Sequence, residues 1–345
     1  MVLDTTPRPA GSASLGKKLA LSFFSVVFTF AAMELILWRA DVASPPTFHP
    51  DPAYGYLMAP GQSVATRGYR FWINAAGLRG PEIAMPKPSG VYRISFLGDS
   101  ITYGGGIIHD DQLFSSRVSS ALTLQLKRTV EAINISAPGW GVGNMAAFVM
   151  GRGTFDSDLL IWVISAPDLR RPFATFEESG FSETKPLSRV WYAVRVSVIK
   201  FSAGVKRARA SASESSGRPE QLEKNLQTVA GELPMLLAKG TRVAIVLVPG
   251  VRGYDTASDV ARFRAVAESC AVPFLDTADA MQGPRIKDYY IDDVHLSTQG
   301  HAVVAGAIGP FVADHFLRAR SGAAPAAAVP SACGTMPPRA SAPSH

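Results

Sequence analysis

The chain has 345 residues, 47% hydrophobic and 18% charged, which excludes a wholly disordered polypeptide and fits one large domain or two ordinary ones. Its two cysteines, Cys270 and Cys333, exclude a disulfide framework and any multi-cysteine zinc or iron–sulfur site. The net charge of +6 points to an acidic partner such as a phospholipid surface; no nucleic acid is expected, because no DNA- or RNA-binding motif stands beside the basic residues.

Residues 1–18 form a basic leader with Arg8, Lys17 and Lys18. Leu19 to Trp38 follows as a run of 20 residues with one charge, Glu34. At about 1.5 Å per residue it reaches ~30 Å as a helix, enough for a bilayer core and longer than the apolar region of a signal peptide. Glu34 lies near the exit end, where a carboxylate can reach toward headgroups. Positive charge ahead of the span keeps the N-terminus in the cytoplasm, so 19–38 reads as a signal anchor in the cell (inner) membrane with the rest of the chain extracytoplasmic.

Residues 49–90, rich in Pro, Gly and Tyr, read as a membrane-proximal extension packed on the main domain. Five short apolar or β-branched runs then read as strands buried on both faces: Tyr92–Gly98, Thr129–Ile135, Asp158–Ser165, Arg242–Pro249 and Val272–Asp276. Helical patterns lie between and after them at Gln112–Leu126, Asn144–Arg152, Glu220–Lys239 (kinked or split near Pro234), Asp255–Ala271 and Thr298–Ala319. The alternation predicts a three-layer α/β sandwich on a parallel sheet over 91–320. Residues 202–219 read as a mobile insertion and 321–345, rich in Ala, Pro and Ser, as a disordered tail. Cys333 falls in that tail and Cys270 in the folded part; a bridge between them is open to the chain, but nothing in the sequence supports it. Leu187 to Phe201 is amphipathic and basic; it reads as a helix packed on the domain, the alternative being a membrane-surface or lid helix.

In such folds ligands bind where strands end and helices begin. The first sheet strand runs straight into Gly98-Asp99-Ser100, which sets a hydroxyl nucleophile on a strand-to-helix turn. A hydroxyl needs a base, and Asp292-Asp293-Val294-His295 ahead of the last helix offers an imidazole with a carboxylate at i−3 to fix its tautomer. Asp292, Asp293, His295 and His301 lack a second histidine pair at helical spacing, so no metal is expected and no cofactor is called for. His301 reads as a helix-packing residue. Gly104-Gly105-Gly106 lacks a following G-K-[ST], which leaves it a flexible turn.

These residues resemble the SGNH, or GDSL-type, serine esterase family in a membrane-anchored bacterial version. The resemblance runs from about Asp51 to Arg318 through HPDPAYGYLMAPG, INAAGLRGPE, YRISFLGDSITYGGGI, NISAPGWG and DDVHLSTQGH. It implies a flavodoxin-like α/β/α sandwich, with Ser100 as nucleophile, His295 as base and Asp292 as its partner. It further implies an oxyanion hole from the N–H groups of Ser100 and Gly139. One block departs: where the family carries an asparagine as third oxyanion donor, this chain has Pro167 within Ser165-Ala166-Pro167-Asp168. Proline brings neither a side-chain donor nor an N–H, leaving Asn144 or Ser165 as substitutes. The implied activity is hydrolysis of O-acyl esters, on cell-envelope carbohydrate or small acyl esters. The alternatives are an O-acyltransferase using the same triad and a non-catalytic carbohydrate-binding or scaffolding protein.

Overall fold

In a computed structural model, residues 14–40, 44–66, 69–198, 219–254, 257–317 and 329–336 are described. Two antiparallel hairpins come first. Strand β1 (Phe48–Asp51) pairs with β2 (Gly55–Met58), and β3 (Gln62–Thr66) pairs with β4 (Tyr69–Ile73). The main sheet follows, with β5 (Tyr92–Gly98), β6 (Val130–Ser136), β7 (Leu159–Ser165), β8 (Val243–Val248) and β9 (Phe274–Asp276). Its order is β6-β5-β7-β8-β9 and every pairing is parallel. This is the flavodoxin-like order, whose switch point lies between the ends of β5 and β7.

The uninterrupted apolar runs in β5, β7 and β8 have one cause: both sheet faces are covered. Alternate residues serve two cores. Leu97, Leu160, Trp162 and Ile245 face the helices Val142–Arg152, Pro219–Ala238 and Ala257–Ser269. Ile94, Phe96, Ile161 and Val246 face Phe114–Leu126 and Thr298–Val312. The Pro219–Ala238 helix carries Pro234 inside it without splitting.

The extension is woven into the first core through Phe48, Tyr56, Phe71 and Ile73. Arg79, fully buried, pairs with Asp110 at 2.7 Å, donates to the carbonyls of Tyr103 and Ile108, and lies 4.4 Å over the Phe71 ring.

Three expectations change. Residues 329–336, in the segment expected to be a disordered tail, are held on the domain: Cys333 is bonded to Cys270, and Cys333 and Met336 pack on the first core. A covalent bond holds down a stretch with no apolar periodicity of its own. The basic amphipathic stretch forms a helix over 189–198 that does not lie packed on the domain; of its residues only Val190 is buried. Finally, Glu34, expected to reach toward headgroups, has partners within the protein. It belongs to an apolar helix, Leu15–Arg39, which contains an 18-residue stretch of mean hydropathy 2.1 and has no buried residue. There its carboxylate accepts from the Ser188 hydroxyl and from the N–H of Val190 and Arg189. The segment 202–219, but for its last residue, and most of 1–18 and 321–345 lie outside the described residues.

Candidate active site

The end of β5 turns sharply. A Cβ on Gly98 would stand 2.0 Å from Thr102 Oγ1, so only glycine lets the next turn fold back this closely. Asp99 Oδ1 then accepts from the N–H of Ile101 at 2.8 Å, capping a one-turn helix that opens with Ser100.

The C-terminal loop arrives on the same side. Asp292 Oδ1 accepts from the N–H groups of Val294 (2.9 Å) and His295 (2.8 Å). Its Oδ2 receives His295 Nδ1–H at 2.7 Å, and the Ser100 hydroxyl donates to His295 Nε2 at 3.0 Å. Burial raises the Asp292 pKa, but the two N–H donors and the imidazole outweigh it and hold the carboxyl below its ordinary range. Asp293 is exposed; its carbonyl accepts from Val251 N–H. His301 is buried away from the cleft, where Nδ1 accepts from Phe114 N–H at 3.1 Å and the ring stacks on Phe114.

Ser100 and His295 open into a cleft of about 470 Å³ whose walls include Tyr56, Gly139, Arg171, Phe173, Glu178 and Phe181. Gly139 has φ +85°, and a Cβ there would meet the Tyr56 hydroxyl at 2.9 Å. That hydroxyl donates to the Pro138 carbonyl at 2.8 Å. In a trans peptide the C=O and the following N–H point in opposite directions. Pinning Pro138 O therefore aims Gly139 N–H away from Tyr56.

The two candidates for a third donor are not brought to this cleft. Asn144 is fully buried: its Nδ2 donates to the carbonyls of Tyr54 and Ala174, and its Oδ1 accepts from Gly141 and Ala174. Both amide hydrogens are in use. Ser165 is also buried, and its hydroxyl lies 2.7 Å from Asp168 Oδ2 and 3.0 Å from Asp99 Oδ2. Pro167 sits in a 3₁₀ turn, Ala166–Leu169, beside them.

What the cleft does contain is Arg171. Its Nη1 lies 2.8 Å from Asp168, 3.0 Å from Asp99 and 2.9 Å from the Trp140 carbonyl. Burial opposes its charge, but Asp168 and Asp99 outweigh burial and keep the guanidinium protonated. It is the one side chain of fixed positive charge on the cleft wall among the described residues. Tyr56 and Arg171 both escape sequence reading. For Arg171 a signal existed: two arginines follow closely on the end of the third sheet strand. For Tyr56 there was none, since its partner lies 82 residues away.

The family model of the GDSL-like lipase/acylhydrolase family matches residues 96–303. The chain belongs to that family and is a hydrolase of ester bonds. No curated protein matches it. Among solved structures, similarity extends to a two-domain esterase (CEX) active on acetylated mannans, at 16% identity and a TM-score of 0.42 over 66% of this chain. The chain spans about half of that protein, 50% of its length. The lipase/acylhydrolase from Enterococcus faecalis is 13% identical with a TM-score of 0.40, covering 64% of this chain and 95% of that one. Axe2, an acetylxylan esterase from Geobacillus stearothermophilus, is 17% identical with a TM-score of 0.42, covering 66% and 97%.

Proposed function

We propose that this chain is an extracytoplasmic, membrane-anchored serine esterase that removes O-acyl groups from cell-envelope carbohydrate. The observation that carries the reading is the relay of Ser100 Oγ, His295 and Asp292 at 3.0 and 2.7 Å. Ser100 Oγ attacks the ester carbonyl while His295 Nε2 takes its proton. Asp292 holds the ring in the tautomer with Nδ1–H and stabilises the imidazolium. With Arg171 on the cleft wall but its charge offset by Asp99 and Asp168, the carbonyl oxygen, now negative, faces the N–H groups of Ser100 and Gly139. Each well-aimed donor of this kind is worth about 3 kcal/mol in the transition state. His295 returns its proton to the leaving sugar oxygen, and a water deprotonated by the same ring then releases the acid from Ser100.

The carbohydrate reading draws on the cleft walls. Phe173 and Phe181 line the cleft with apolar surface, and Glu178 stands among them as a hydrogen-bond acceptor. The location draws on the apolar run 19–38 of the Leu15–Arg39 helix, which follows Arg8, Lys17 and Lys18, and on the Cys270–Cys333 disulfide, which belongs to an oxidising compartment.

The test is fluorophosphonate labelling of the full chain in membranes, alongside acetate release from acetylated oligosaccharide. Parent protein labelled at Ser100 and active, with Ser100→Ala silent in both assays, is the expected outcome. A folded parent that neither labels nor turns over any ester would overturn the proposal in favour of a binding protein.

A further inference from the structure

The helix 189–198 reads Arg-Val-Trp-Tyr-Ala-Val-Arg-Val-Ser-Val, with two arginines and no acidic residue. Trp191, Val194 and Val198 recur at i, i+3 and i+7, which on a helix of 3.6 residues per turn puts them on one stripe. That stripe is bare: Trp191 is 69% exposed, Val194 48% and Val198 61%, and Leu187 just ahead of the helix is fully exposed. Lys185 and Arg195 are exposed beside it. Water is a poor neighbour for such a surface.

Its position says what covers it. The first turn of this helix is clasped by the apolar Leu15–Arg39 helix. Glu34 accepts from the N–H of Val190 at 3.0 Å and from the Ser188 hydroxyl at 3.1 Å, and Arg189 Nη1 donates back to the carbonyls of Leu37 (2.9 Å) and Trp38 (3.1 Å). Glu34 stands four residues before Trp38, or about 6 Å along the axis from the end of the apolar run. An amphipathic helix lying in a bilayer surface sinks its apolar face about 5–10 Å into the boundary between headgroups and acyl chains. The clasp therefore holds the 189–198 helix at interfacial depth.

We infer that the helix 189–198 is a second membrane contact, lying flat in an anionic phospholipid surface with Trp191, Val194 and Val198 among the acyl chains and Arg195 at the phosphates. This rests on the membrane-anchor reading above. It also explains a carboxylate in an apolar span: Glu34 is the fastening between the spanning helix and the surface helix. The cleft follows, because Phe181 is a wall both of the Ser100 cleft and of an apolar groove lined by Pro46, Leu187 and Trp191 at the foot of this helix. Two contacts, unlike one, fix the tilt of the domain as well as its attachment.

The test uses the full chain in nanodiscs of phosphatidylglycerol and phosphatidylcholine. Both native cysteines are in the disulfide, so a single introduced cysteine takes an environment-sensitive fluorophore alone. Three proteins are labelled, Phe28→Cys in the span, Val194→Cys on the stripe and Leu124→Cys on an exposed domain helix, and each is titrated with nitroxide lipids of shallow or deep placement. The label at 28 is expected to be quenched by the deep nitroxide, the label at 194 several-fold more by the shallow nitroxide than the label at 124, and Glu34→Leu should abolish the difference at 194 alone. A label at 28 that is embedded while the label at 194 is quenched no more than the label at 124 overturns the surface helix and leaves the anchor standing. A label at 28 that reports water overturns the anchor, and the surface helix with it. Unchanged quenching at 194 in Glu34→Leu would refute the clasp.

Discussion

Tyr56→Phe isolates the aim of one peptide. The hydroxyl is removed while the ring keeps its edge-on contacts with Phe48 at 6.0 Å and Phe181 at 5.3 Å. Tyr56 is 1% exposed, yet the carbonyl it holds borders the cleft, where water can replace the lost donor. The loss is then that of one neutral hydrogen bond, about 0.5–1.5 kcal/mol. If that energy holds Gly139 N–H in line with the oxyanion, it converts to a kcat about 2- to 13-fold lower. A Gly139 N–H swung fully away sets the ceiling, about 10²–10³-fold. Because the interaction matters only once charge develops on the oxygen, kcat and kcat/KM should fall together with KM nearly constant. The assay is steady-state hydrolysis of p-nitrophenyl acetate by parent and variant, with thermal melts to establish that both are folded. Unchanged kcat in a folded Tyr56→Phe protein would refute the aiming argument. A rise in KM alone would move Tyr56 to substrate binding.

Three further expectations follow from the geometry. Asp292→Asn should cut kcat by several orders of magnitude by presenting the wrong tautomer of His295, about 10⁴ in the best-measured triad, whereas Asp293→Asn, on an exposed side chain, should cost little; equal losses in esterase assays would sink the assignment. Cys333→Ser, or reduction, opens a 63-residue loop and should lower unfolding free energy by up to ~4 kcal/mol on the chain-entropy model, read from denaturant melts; no change would mean that the C-terminal segment is not stapled in solution. His301 has its pKa pushed down to about 3 by burial, helped by Arg79 and Arg117, so the unfolded chain takes up this proton first on acidification. Its contribution is complete above the ordinary value of 6.5 and is lost as pH falls toward about 3; His301→Asn should flatten the fall in melting temperature between pH 6.5 and 4, and an identical pH slope in the two proteins would count against it.

The parallel sheet was legible because strands buried on both faces must be apolar without interruption, and YRISFLG, LLIWVIS and VAIVLV are. Observed boundaries differ from the reading by two residues or fewer at these strands. The Ser100 turn and the Asp292–His295 loop were legible for another reason: each carries its chemistry within a few consecutive residues. Asn144 misled because its chemistry is equally visible and its neighbours are not. Only the fold reveals that Tyr54 and Ala174 take both amide hydrogens. Tyr56, the contacts of Arg171 with Trp140 and Asp99, and the Cys270–Cys333 pairing share that limit, since each joins residues 31 to 82 positions apart. Local sequence carries side-chain chemistry; it does not carry the partner.

The distance along the chain between Tyr56 and His295 bears on how the protein is made. A ribosome adding about 5–20 residues per second needs roughly 12–48 s to pass from one to the other. Through that interval the second hairpin and all five strands of the main sheet are synthesised, and Tyr56, Ser100, Gly139 and Arg171 precede the imidazole in the chain. The imidazole is among the last pieces delivered. On the proposed triad, a serine without its base is an ordinary alcohol, so the nascent polypeptide would be unarmed while it is still being synthesised. The proposed site would then be complete only once the C-terminal loop that carries Asp292 and His295 reaches Ser100, a delay that needs no propeptide and no protease.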